Sequence, residues 1–369
     1  MKNSIILMCM SKYLFYTAGD YRKMRVTGGT KRFREIILYL LQNGEEIFLI
    51  APHNIDMPDH PNLHNIPVKI YSSGILPNGL LNYFFNLHQF RRAKKINVDK
   101  TVLVSIPYGI QGILAGFKNI TLIVWEDMID YRTIRYQSDR NKWLGFLKRL
   151  ILPVYNNIEA YTLKRVKKII VQCHYDKEVL KSRHPKICDE IENKTSILFN
   201  NVNTSWLTKH KELIRNDDFQ SEEKPTIMFA GNLNDERKGL HILLKAVAML
   251  LDRRNILFLK VIGDGKLKSH YENMYKDYSG IQFTGNLDNP VPEIAKADLM
   301  VVPSQADSFP NTVLEALYLE VPVIGAKKGG IPEILKYNEL LFDSDPTILS
   351  EKIEDILHNN KLRALKKLC

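Results

Sequence analysis

Residues 301–333, VVPSQADSFPNTVLEALYLEVPVIGAKKGGIPE, carry the strongest signal for the fold and for the position of the predicted site. An apolar strand ends just inside this stretch and leads into a polar loop that holds Asp307. A helix is predicted to open at Pro310, and it carries Glu315. Because eight helical residues rise about 12 Å, the two carboxylates can contact two parts of one elongated polar ligand.

The start of this helix is the predicted phosphate-binding element. A helix N-terminus presents free N–H groups and the positive end of the helix dipole, and both favour phosphate. Pro310 fits the first helical position because the N–H that proline lacks would have no helical partner there. A sugar joined to a ribose through a diphosphate has a length that Asp307 and Glu315 can hold between them.

Short apolar runs alternate with longer amphipathic runs, which predicts an α/β fold with parallel, doubly wound sheets. Strands are predicted at residues 5–8, 46–51, 102–105, 121–125, 168–172, 196–199, 226–230, 256–262, 282–284, 299–302 and 321–324. Helices are predicted at residues 30–42, 80–96, 143–167, 176–182, 239–251, 268–278 and 346–358. The pattern stops over residues 203–225, which we interpret as an interdomain linker. Since 369 residues exceed one ordinary core, we predict two Rossmann-like domains that face a cleft, residues 1–205 and 206–369.

Charge differs strongly between these two halves. Residues 1–205 contain 30 Lys and Arg against 17 Asp and Glu, a net charge of +13, whereas residues 206–369 contain 22 against 24. The basic half predicts an anionic partner such as a membrane surface, a phosphorylated lipid or nucleic acid. Nucleic acid is the weakest of these interpretations, because the chain has no readout motif and no interleaved aromatic residues for base stacking.

Cysteine and histidine positions predict no metal site and no disulfide framework. The four cysteines are scattered without a CxxC pair, and the histidines do not follow the spacing of a metal template. No apolar run reaches the length of a membrane-spanning helix. The scattered cysteines fit a reduced, cytoplasmic setting.

Two further stretches are candidates for binding phosphate. Gly28 and Gly29 precede a predicted helix, where glycine lets the backbone approach a phosphate, although an ordinary glycine loop explains them equally well. In the stretch FAGNLNDERKG, residues 229–239, Arg237 and Lys238 stand at a predicted helix start, where cations oppose the dipole. This placement favours a bound diphosphate over a solvated charged turn.

Other candidates follow predicted strands. Gly263 begins a tight Gly-Asp-Gly turn, and Gly285 is placed to border a nucleotide base through backbone groups. The stretch Trp125-Glu126-Asp127 ends a strand, where a carboxylate can contact a sugar hydroxyl or take part in proton transfer. Pairing of these acids with nearby arginines is an equally good interpretation.

Residues 141–152 are amphipathic, which suits either a helix packed on its own domain or a helix lying on anionic lipid.

Taken together, these stretches resemble the family-4 retaining glycosyltransferases of the GT-B fold. The match covers residues 227–335 through AGNLNDERKGL, VIGDG, FTGNL, PSQADSFPNTVLEA and GGIPE, in the order that the family shows. The early glycine pair and the segments KKIIVQC and ILFNNVN agree more weakly. The resemblance implies a metal-independent, retaining hexosyltransferase of the bacterial surface-polysaccharide type.

The resemblance also implies roles for single residues. Asp307 would contact the donor sugar, Glu315 would hold the ribose hydroxyls, and Lys238 would neutralise the diphosphate leaving group. The implied catalytic residues are Asp307, Lys238 and Asp127. The implied donor-binding residues are Gly28, Gly29, Gly231, Asn232, Arg237, Lys238, Gly263, Gly285, Ser308, Phe309, Pro310, Asn311, Thr312 and Glu315.

Three positions depart from the family pattern. Asp307 is one methylene shorter than the usual Glu, and Asn232 stands where an arginine is frequent, a charge that Arg237 is placed to supply. Where the family often has a histidine, this chain has Trp125-Glu126-Asp127, with Asp127 as the candidate replacement.

The sequence therefore supports two hypotheses from different classes. The first is a retaining glycosyltransferase that moves a sugar from a UDP or GDP sugar to a glycan or lipid-linked acceptor, in polysaccharide or lipopolysaccharide biosynthesis. It needs no cofactor besides its donor substrate, and its basic half predicts peripheral contact with the inner face of the membrane. The second is a non-catalytic homologue that binds a nucleotide sugar or glycan.

Overall fold

The computed structural model describes residues 10–16, 28–52, 57–69, 85–124, 142–212, 224–234, 236–254, 257–358 and 361–368. Contacts divide the chain into two compact units, and each unit has its own parallel β-sheet. With the same gaps, unit 1 contains residues 10–124, 150–172 and 177–198. Unit 2 contains residues 142–149, 173–176 and 199–368.

Unit 1 is built on a seven-stranded sheet in the order β3-β2-β1-β4-β5-β6-β7. Its strands are β1 (Lys12–Tyr16), β2 (Glu46–Pro52), β3 (Leu63–Val68), β4 (Lys100–Val104), β5 (Ile120–Ile123), β6 (Lys168–Val171) and β7 (Thr195–Ile197). The described helices of this half of the chain are α1 (Gly28–Gln42), α2 (Leu87–Lys94), α3 (Ile106–Leu114), α4 (Lys142–Arg165), α5 (His174–Arg183) and α6 (Cys188–Lys194). The chain thus winds outward from β1 in both directions, which is the doubly wound arrangement.

Several elements of unit 1 differ from the sequence predictions. The first described strand is β1, whereas the strand predicted at residues 5–8 lies outside the described residues. The pattern did not predict β3, which contains Pro67 and is the edge strand of the sheet, a position that tolerates proline. It also did not predict α3, because Pro107 and two glycines weaken the helical signal.

Both faces of the unit 1 sheet are buried. Along β1, Leu14 and Tyr16 belong to one hydrophobic cluster, and Phe15 belongs to another. Because successive strand residues point to opposite faces, the two clusters lie on the two faces of the sheet. Phe33 and Ile37 of α1 pack in the same cluster as Phe15. A parallel sheet with both faces covered requires the continuous apolar runs seen in the sequence.

Unit 2 is built on a six-stranded sheet in the order β10-β9-β8-β11-β12-β13. Its strands are β8 (Thr226–Ala230), β9 (Phe258–Ile262), β10 (Ile281–Gly285), β11 (Leu299–Val302), β12 (Val323–Ala326) and β13 (Leu341–Phe342). Its helices include α7 (Thr204–Glu212), α8 (Leu240–Arg254), α9 (Lys268–Met274), α10 (Val291–Ala295), α11 (Asn311–Tyr318), α12 (Ile331–Ile334), α13 (Pro346–His358) and α14 (Leu362–Leu368). All described strand pairs in both sheets are parallel, so the prediction of two Rossmann-like α/β sheets is confirmed.

The predicted linker at residues 203–225 begins instead with the helix α7. The side chain of Asn203 accepts a hydrogen bond from the backbone N–H of Trp206 at 2.9 Å, which caps the start of this helix. Leu207 is buried in the hydrophobic core of unit 2. An asparagine cap followed by apolar residues was therefore a local helix signal within a stretch that is otherwise polar.

Among the described residues, no helix is long and apolar enough to cross a membrane. The helix α4 has 24 residues and includes most of the amphipathic stretch predicted at 141–152. The side chains at 142–151 lie outside the described residues, so the choice between a packed helix and a lipid-bound helix stays a prediction.

Candidate functional site

The sheet order of unit 2 places the candidate site where β8 and β11 lie side by side. Residues 227 and 228 of β8 pair with residues 299 and 300 of β11. From this pair the chain winds outward in both directions, from β8 to β9 and β10 on one side and from β11 to β12 and β13 on the other. Ligands of open α/β sheets bind at such a switch point, outside the carboxyl ends of the strands. Both predicted motifs, the one around Lys238 and the one around Asp307, lie on these loops.

An ion pair joins the two loops: the Lys238 ammonium contacts the Asp307 carboxylate. The carboxylate is 8% exposed and the lysine side chain 21% exposed, so the pair is largely withdrawn from water. The guanidinium of Arg237 donates a hydrogen bond to the Ala306 carbonyl at 3.0 Å. The backbone N–H of Gln305 donates to the Arg237 carbonyl at 2.8 Å. These contacts hold Arg237 and Lys238 against the loop that carries the Asp307 carboxylate.

The local backbone of Lys238 differs from the predicted helix start. Residues Glu236–Lys238 form a 3-10 turn, and α8 begins only after Gly239. Gly239 has φ +71°, and a Cβ there would lie 1.9 Å from the Pro303 carbonyl oxygen. Only glycine fits this close approach, so it keeps the Lys238 turn packed against the loop after β11.

A glycine pair, Gly329 and Gly330, holds Asp307 from the loop after β12. The backbone N–H of Gly330 donates a hydrogen bond to the Asp307 carbonyl at 3.0 Å. A Cβ on Gly330 would lie 1.7 Å from the Ser308 carbonyl oxygen, and one on Gly329 would lie 2.1 Å from that of Asp307. The GGIPE motif therefore acts by letting its loop close on the backbone that carries the acid.

Three predicted glycines lie together at the carboxyl ends of β8, β9 and β10. The N–H of Gly263 donates to the Gly285 carbonyl at 2.8 Å, and a Cβ on Gly263 would lie 1.9 Å from the Gly231 oxygen. A Cβ on Gly231 would in turn lie 3.5 Å from Cγ of Lys238, so this glycine borders the lysine stem. The side chain of Asn232 accepts the N–H of Asn234 at 2.8 Å and shapes the turn.

The start of α11 also differs slightly from the prediction. Pro310 is the residue before the helix, with φ −67° and ψ 122°, and not its first helical residue. The helix begins at Asn311, whose side-chain Oδ1 is buried without a hydrogen-bond partner among the described residues. Glu315 lies four residues later and therefore on the same face, while Thr312 lies between them in the first turn.

Ser308 and Phe309 contact residues that the sequence analysis did not single out. The Ser308 hydroxyl donates to the carboxylate of Asp176 at 2.9 Å, and both side chains are buried. The Asn200 amide donates to the Phe309 carbonyl at 2.6 Å, and the ring of Phe199 packs on that of Phe309. The only sequence signal for these partners is that they lie in, or just after, the quoted segments KKIIVQC and ILFNNVN.

Glu333 of the GGIPE motif is a further residue that the structure adds. Its two carboxylate oxygens accept the backbone N–H groups of His174 at 2.9 Å and of Tyr175 at 2.7 Å. These N–H groups belong to the first turn of α5, so the carboxylate satisfies donors that a helix start leaves free.

Three predicted residues remain: Gly28, Gly29 and Asp127. Gly28 and Gly29 are the first residues of α1 in unit 1. Asp127 and its neighbours Trp125 and Glu126 lie outside the described residues. Within the described ranges, no group of three His, Cys, Asp or Glu is arranged to hold a metal ion.

The family comparison covers the part of the chain that carries this site. Residues 224–359 match the model of the family described as Glycosyl transferases group 1. The match includes both loops of the ion pair, the three interlocked glycines and the GGIPE motif.

Among curated proteins, the chain is 30% identical over 199 residues to an uncharacterized glycosyltransferase of Methanocaldococcus jannaschii, which is 51% of each chain. It is 30% identical over 147 residues to the lipopolysaccharide core biosynthesis glycosyltransferase LpsE of Rhizobium meliloti, covering 38% of this chain and 42% of LpsE. The chain thus spans about half the length of these relatives or less.

Solved structures match almost the whole chain. Sucrose-phosphate synthase from Thermosynechococcus elongatus has a TM-score of 0.74 at 17% identity, covering 97% of this chain and 92% of that one. Anabaena HepE in complex with UDP and glucose has a TM-score of 0.65 at 14% identity, covering 96% and 92%. WaaG, a glycosyltransferase involved in lipopolysaccharide biosynthesis, has a TM-score of 0.64 at 16% identity, covering 96% and 93%. At these identities the likeness shows the fold, which is GT-B.

Proposed function

We propose that the protein is a retaining glycosyltransferase that takes a hexose from a nucleotide-diphosphate sugar and transfers it to a glycan or lipid-linked acceptor. The observation that carries the proposal is the Lys238–Asp307 pair, which lies at the switch point of a glycosyltransferase group 1 domain. A site for a nucleotide sugar needs cations for the diphosphate and an acid for the sugar, and these loops hold both.

In this proposal, Lys238 and Arg237 stabilise the diphosphate as the bond to the sugar breaks. Negative charge develops on the leaving group, and preorganised cations lower the barrier because they need no rearrangement during the reaction. The first turn of α11 adds free backbone N–H groups on the same loop. Asp307 has one carboxylate oxygen on Lys238 and a second oxygen for a sugar hydroxyl. The acceptor oxygen bonds to the anomeric carbon on the face that the diphosphate leaves, and the departing diphosphate takes up the hydroxyl proton, so the anomeric configuration is retained.

The donor is proposed to be of the UDP or GDP type, bound without a metal ion or other cofactor. The HepE complex with UDP and glucose, a structural neighbour, supports a nucleotide-sugar ligand. Glu315 holds the ribose hydroxyls from the face of α11 that it shares with Asn311. The buried Oδ1 of Asn311 supports a polar ligand there, because a buried acceptor without a partner costs free energy that a ligand donor would recover.

The acceptor is proposed to belong to cell-surface polysaccharide or lipopolysaccharide biosynthesis, with the enzyme at the cytoplasmic face of the membrane. LpsE and WaaG support this class. The net charge of +13 in residues 1–205 supports contact with anionic lipid.

The test measures binding and turnover of UDP and GDP sugars by the wild-type protein and three variants. Lys238→Ala is expected to slow transfer about 10²-fold to 10³-fold, because it removes charge stabilisation of the leaving group. Asp307→Ala and Glu315→Ala are expected to weaken donor binding and slow both transfer and donor hydrolysis. Lys276→Ala, at an exposed lysine of unit 2, is the matched control and should retain wild-type rates.

The outcomes separate the alternatives. Wild-type rates in both acid variants would show that the site assignment is wrong. Tight donor binding with neither hydrolysis nor transfer by the wild type would favour the non-catalytic binding homologue. Inversion of the anomeric centre in the product, observed by NMR, would refute retention, and loss of activity in EDTA would refute metal independence.

A further inference from the structure

We propose that Phe199 is a positioning residue that supports the hexose ring of the donor, on the aromatic surface that it forms with Phe309. This inference rests on the proposed function and assigns the sugar end of the same site. Phe199 lies outside the matched group 1 domain, and its segment is not part of a strand or helix.

The aromatic surface is open on one side and packed on the other. The ring centroids of Phe199 and Phe309 are 5.0 Å apart with an interplanar angle of 37°. Phe309 is buried at 8% exposure, whereas Phe199 remains 47% exposed. Large aromatic rings contribute most when they leave water, so a ring that is packed on one side and open on the other is suited to a ligand.

Phe199 is held in place by its neighbours in unit 2. Asn200, the next residue, donates its hydrogen bond of 2.6 Å to the Phe309 carbonyl. The ring of His174 lies 6.2 Å from that of Phe199. The ring is therefore positioned by a side-chain-to-backbone bond on the loop that it packs against, and ordering it requires little further loss of entropy on binding.

The place of this surface identifies the part of the ligand that it meets. Phe309 is two residues after Asp307, the acid proposed for the sugar, and one residue before Pro310, where the phosphate-binding helix starts. A hexopyranose ring has an apolar face made of C–H groups beside its polar hydroxyls. The Asp307 carboxylate accepts hydrogen bonds from the hydroxyls, and the aromatic surface packs against the C–H face.

Phe199 should therefore distinguish a nucleotide sugar from the bare nucleotide. Base, ribose and diphosphate are assigned to Gly285, Glu315 and the Lys238 turn, which leaves the aromatic surface for the sugar. Removing the ring is expected to reduce the affinity for the sugar-bearing ligand alone. A purely structural role of Phe199 would reduce the affinity for both ligands together.

The experiment is calorimetry with UDP-glucose, UDP, GDP-mannose and GDP on the wild type, Phe199→Ala and Phe199→Trp. For the nucleotide that the wild type binds, Phe199→Ala should reduce the affinity for the sugar nucleotide about threefold to tenfold. The affinity for the bare nucleotide should stay unchanged. Phe199→Trp should restore the sugar-nucleotide affinity. Tyr337→Ala, which removes an aromatic residue of unit 2 that is 51% exposed, is the control and should change neither.

Thermal unfolding of each variant checks that it is folded. Equal affinity of Phe199→Ala and wild type for the sugar nucleotide would overturn the inference, and so would an equal loss for sugar nucleotide and bare nucleotide. If the wild type binds none of the four ligands, the proposed function itself fails and the inference fails with it. Binding by the wild type that Phe199→Ala leaves unchanged would refute the inference alone.

Discussion

At the residue scale, Gly330 shows how closely single positions constrain the loops of the candidate site. Its N–H binds the Asp307 carbonyl, and the Ser308 carbonyl occupies the space where a side chain would begin. Its φ of −88° is accessible to any residue, so the need for glycine at this position is steric and not conformational.

Replacing this glycine is therefore expected to cost stability through a backbone clash. Gly330→Ala should lower the free energy of unfolding by about 2 kcal/mol, since an inserted methyl group must displace the Ser308 carbonyl. The measurement is urea denaturation followed by circular dichroism. The variant should also bind donor more weakly, because the displaced backbone carries Asp307.

Gly44 is the matched control for this substitution. It has φ +80°, and no atom lies within 4 Å of the position that a Cβ would take, so alanine there introduces backbone strain without a clash. Gly44→Ala should cost about 1 kcal/mol and leave donor binding unchanged. A cost at Gly330 no larger than that at Gly44 would contradict the steric explanation.

Asp307 shows what sequence reasoning could and could not provide for a single residue. The motif spacing identified the acid and its shorter side chain, and it identified Lys238 as a separate cation. The ion pair between the two is a tertiary contact across 69 residues. No local pattern predicts it, because it depends on β8 and β11 being neighbours in the sheet.

At the element scale, a buried charged cluster joins α4 to the end of α5 in unit 1. The carboxylate of Glu159 accepts hydrogen bonds from Arg183 at 3.0 Å and contacts Nε2 of His184 at 2.8 Å. All three side chains are almost fully withdrawn from water. Burial alone would raise the pKa of Glu159, but the hydrogen bonds and charges of His184 and Arg183 hold it below its ordinary value.

This lowered pKa predicts a pH-dependent contribution to stability. Because the folded state binds the proton less tightly than the unfolded state, the contribution is present above the ordinary carboxyl pKa of about 4.3 and is lost as pH falls through the lowered value. Glu159→Gln should cost about 3 kcal/mol at neutral pH, since it leaves the Arg183 charge buried without its carboxylate. It should also flatten the stability profile below about pH 5, measured by denaturation at a series of pH values.

Glu178→Gln provides the comparison on the neighbouring helix α5. Glu178 pairs with Lys181 at 2.9 Å on the exposed side of that helix, where water screens the charges. That variant should keep the wild-type acid profile. A Glu159→Gln protein with an unchanged profile between about pH 3 and pH 5 would refute the assigned role of the cluster.

At the scale of the whole molecule, part of the positive charge of residues 1–205 lies together on one helix of unit 1. Arg91, Arg92, Lys94 and Lys95 lie on α2 or immediately after it, and all four are exposed. No ion pair joins them to a carboxylate within the described part of the chain. Four neighbouring cations attract an anionic surface, and each contributes about 1 kcal/mol close to anionic lipid.

The protein should therefore bind phosphatidylglycerol vesicles in low salt and release them as salt is raised. Changing Arg91, Arg92, Lys94 and Lys95 together to glutamine should reduce binding at least about tenfold, measured by vesicle sedimentation. Phosphatidylcholine vesicles should not bind either protein, because they carry no net charge.

A charge-matched variant tests whether location or total charge matters. Changing Lys245, Lys276, Lys336 and Lys367 of unit 2 to glutamine removes the same charge from exposed positions elsewhere. Vesicle binding should then remain close to that of the wild type. An equal loss in both variants would show that net charge alone is responsible and would refute α2 as the contact surface.

Local sequence was sufficient to predict the class of the fold and the elements that carry the site. Short apolar runs predicted β8 and β11, and a helical repeat of apolar residues predicted α13, all with their observed bounds, because each segment has clear ends. It did not predict β3 or α7, whose local signals are interrupted by proline or by surrounding charge.

Long-range packing determines which residues meet at the site. Ser308 contacts Asp176 across 132 residues, and Asn200 contacts the Phe309 carbonyl across 109 residues. Such contacts follow from strand order and from glycines that permit close backbone approach, neither of which leaves a periodic pattern. Local sequence sets the conformation of each element, whereas the packing of the sheet sets which loops are neighbours, and the chemistry of this protein depends on those neighbours.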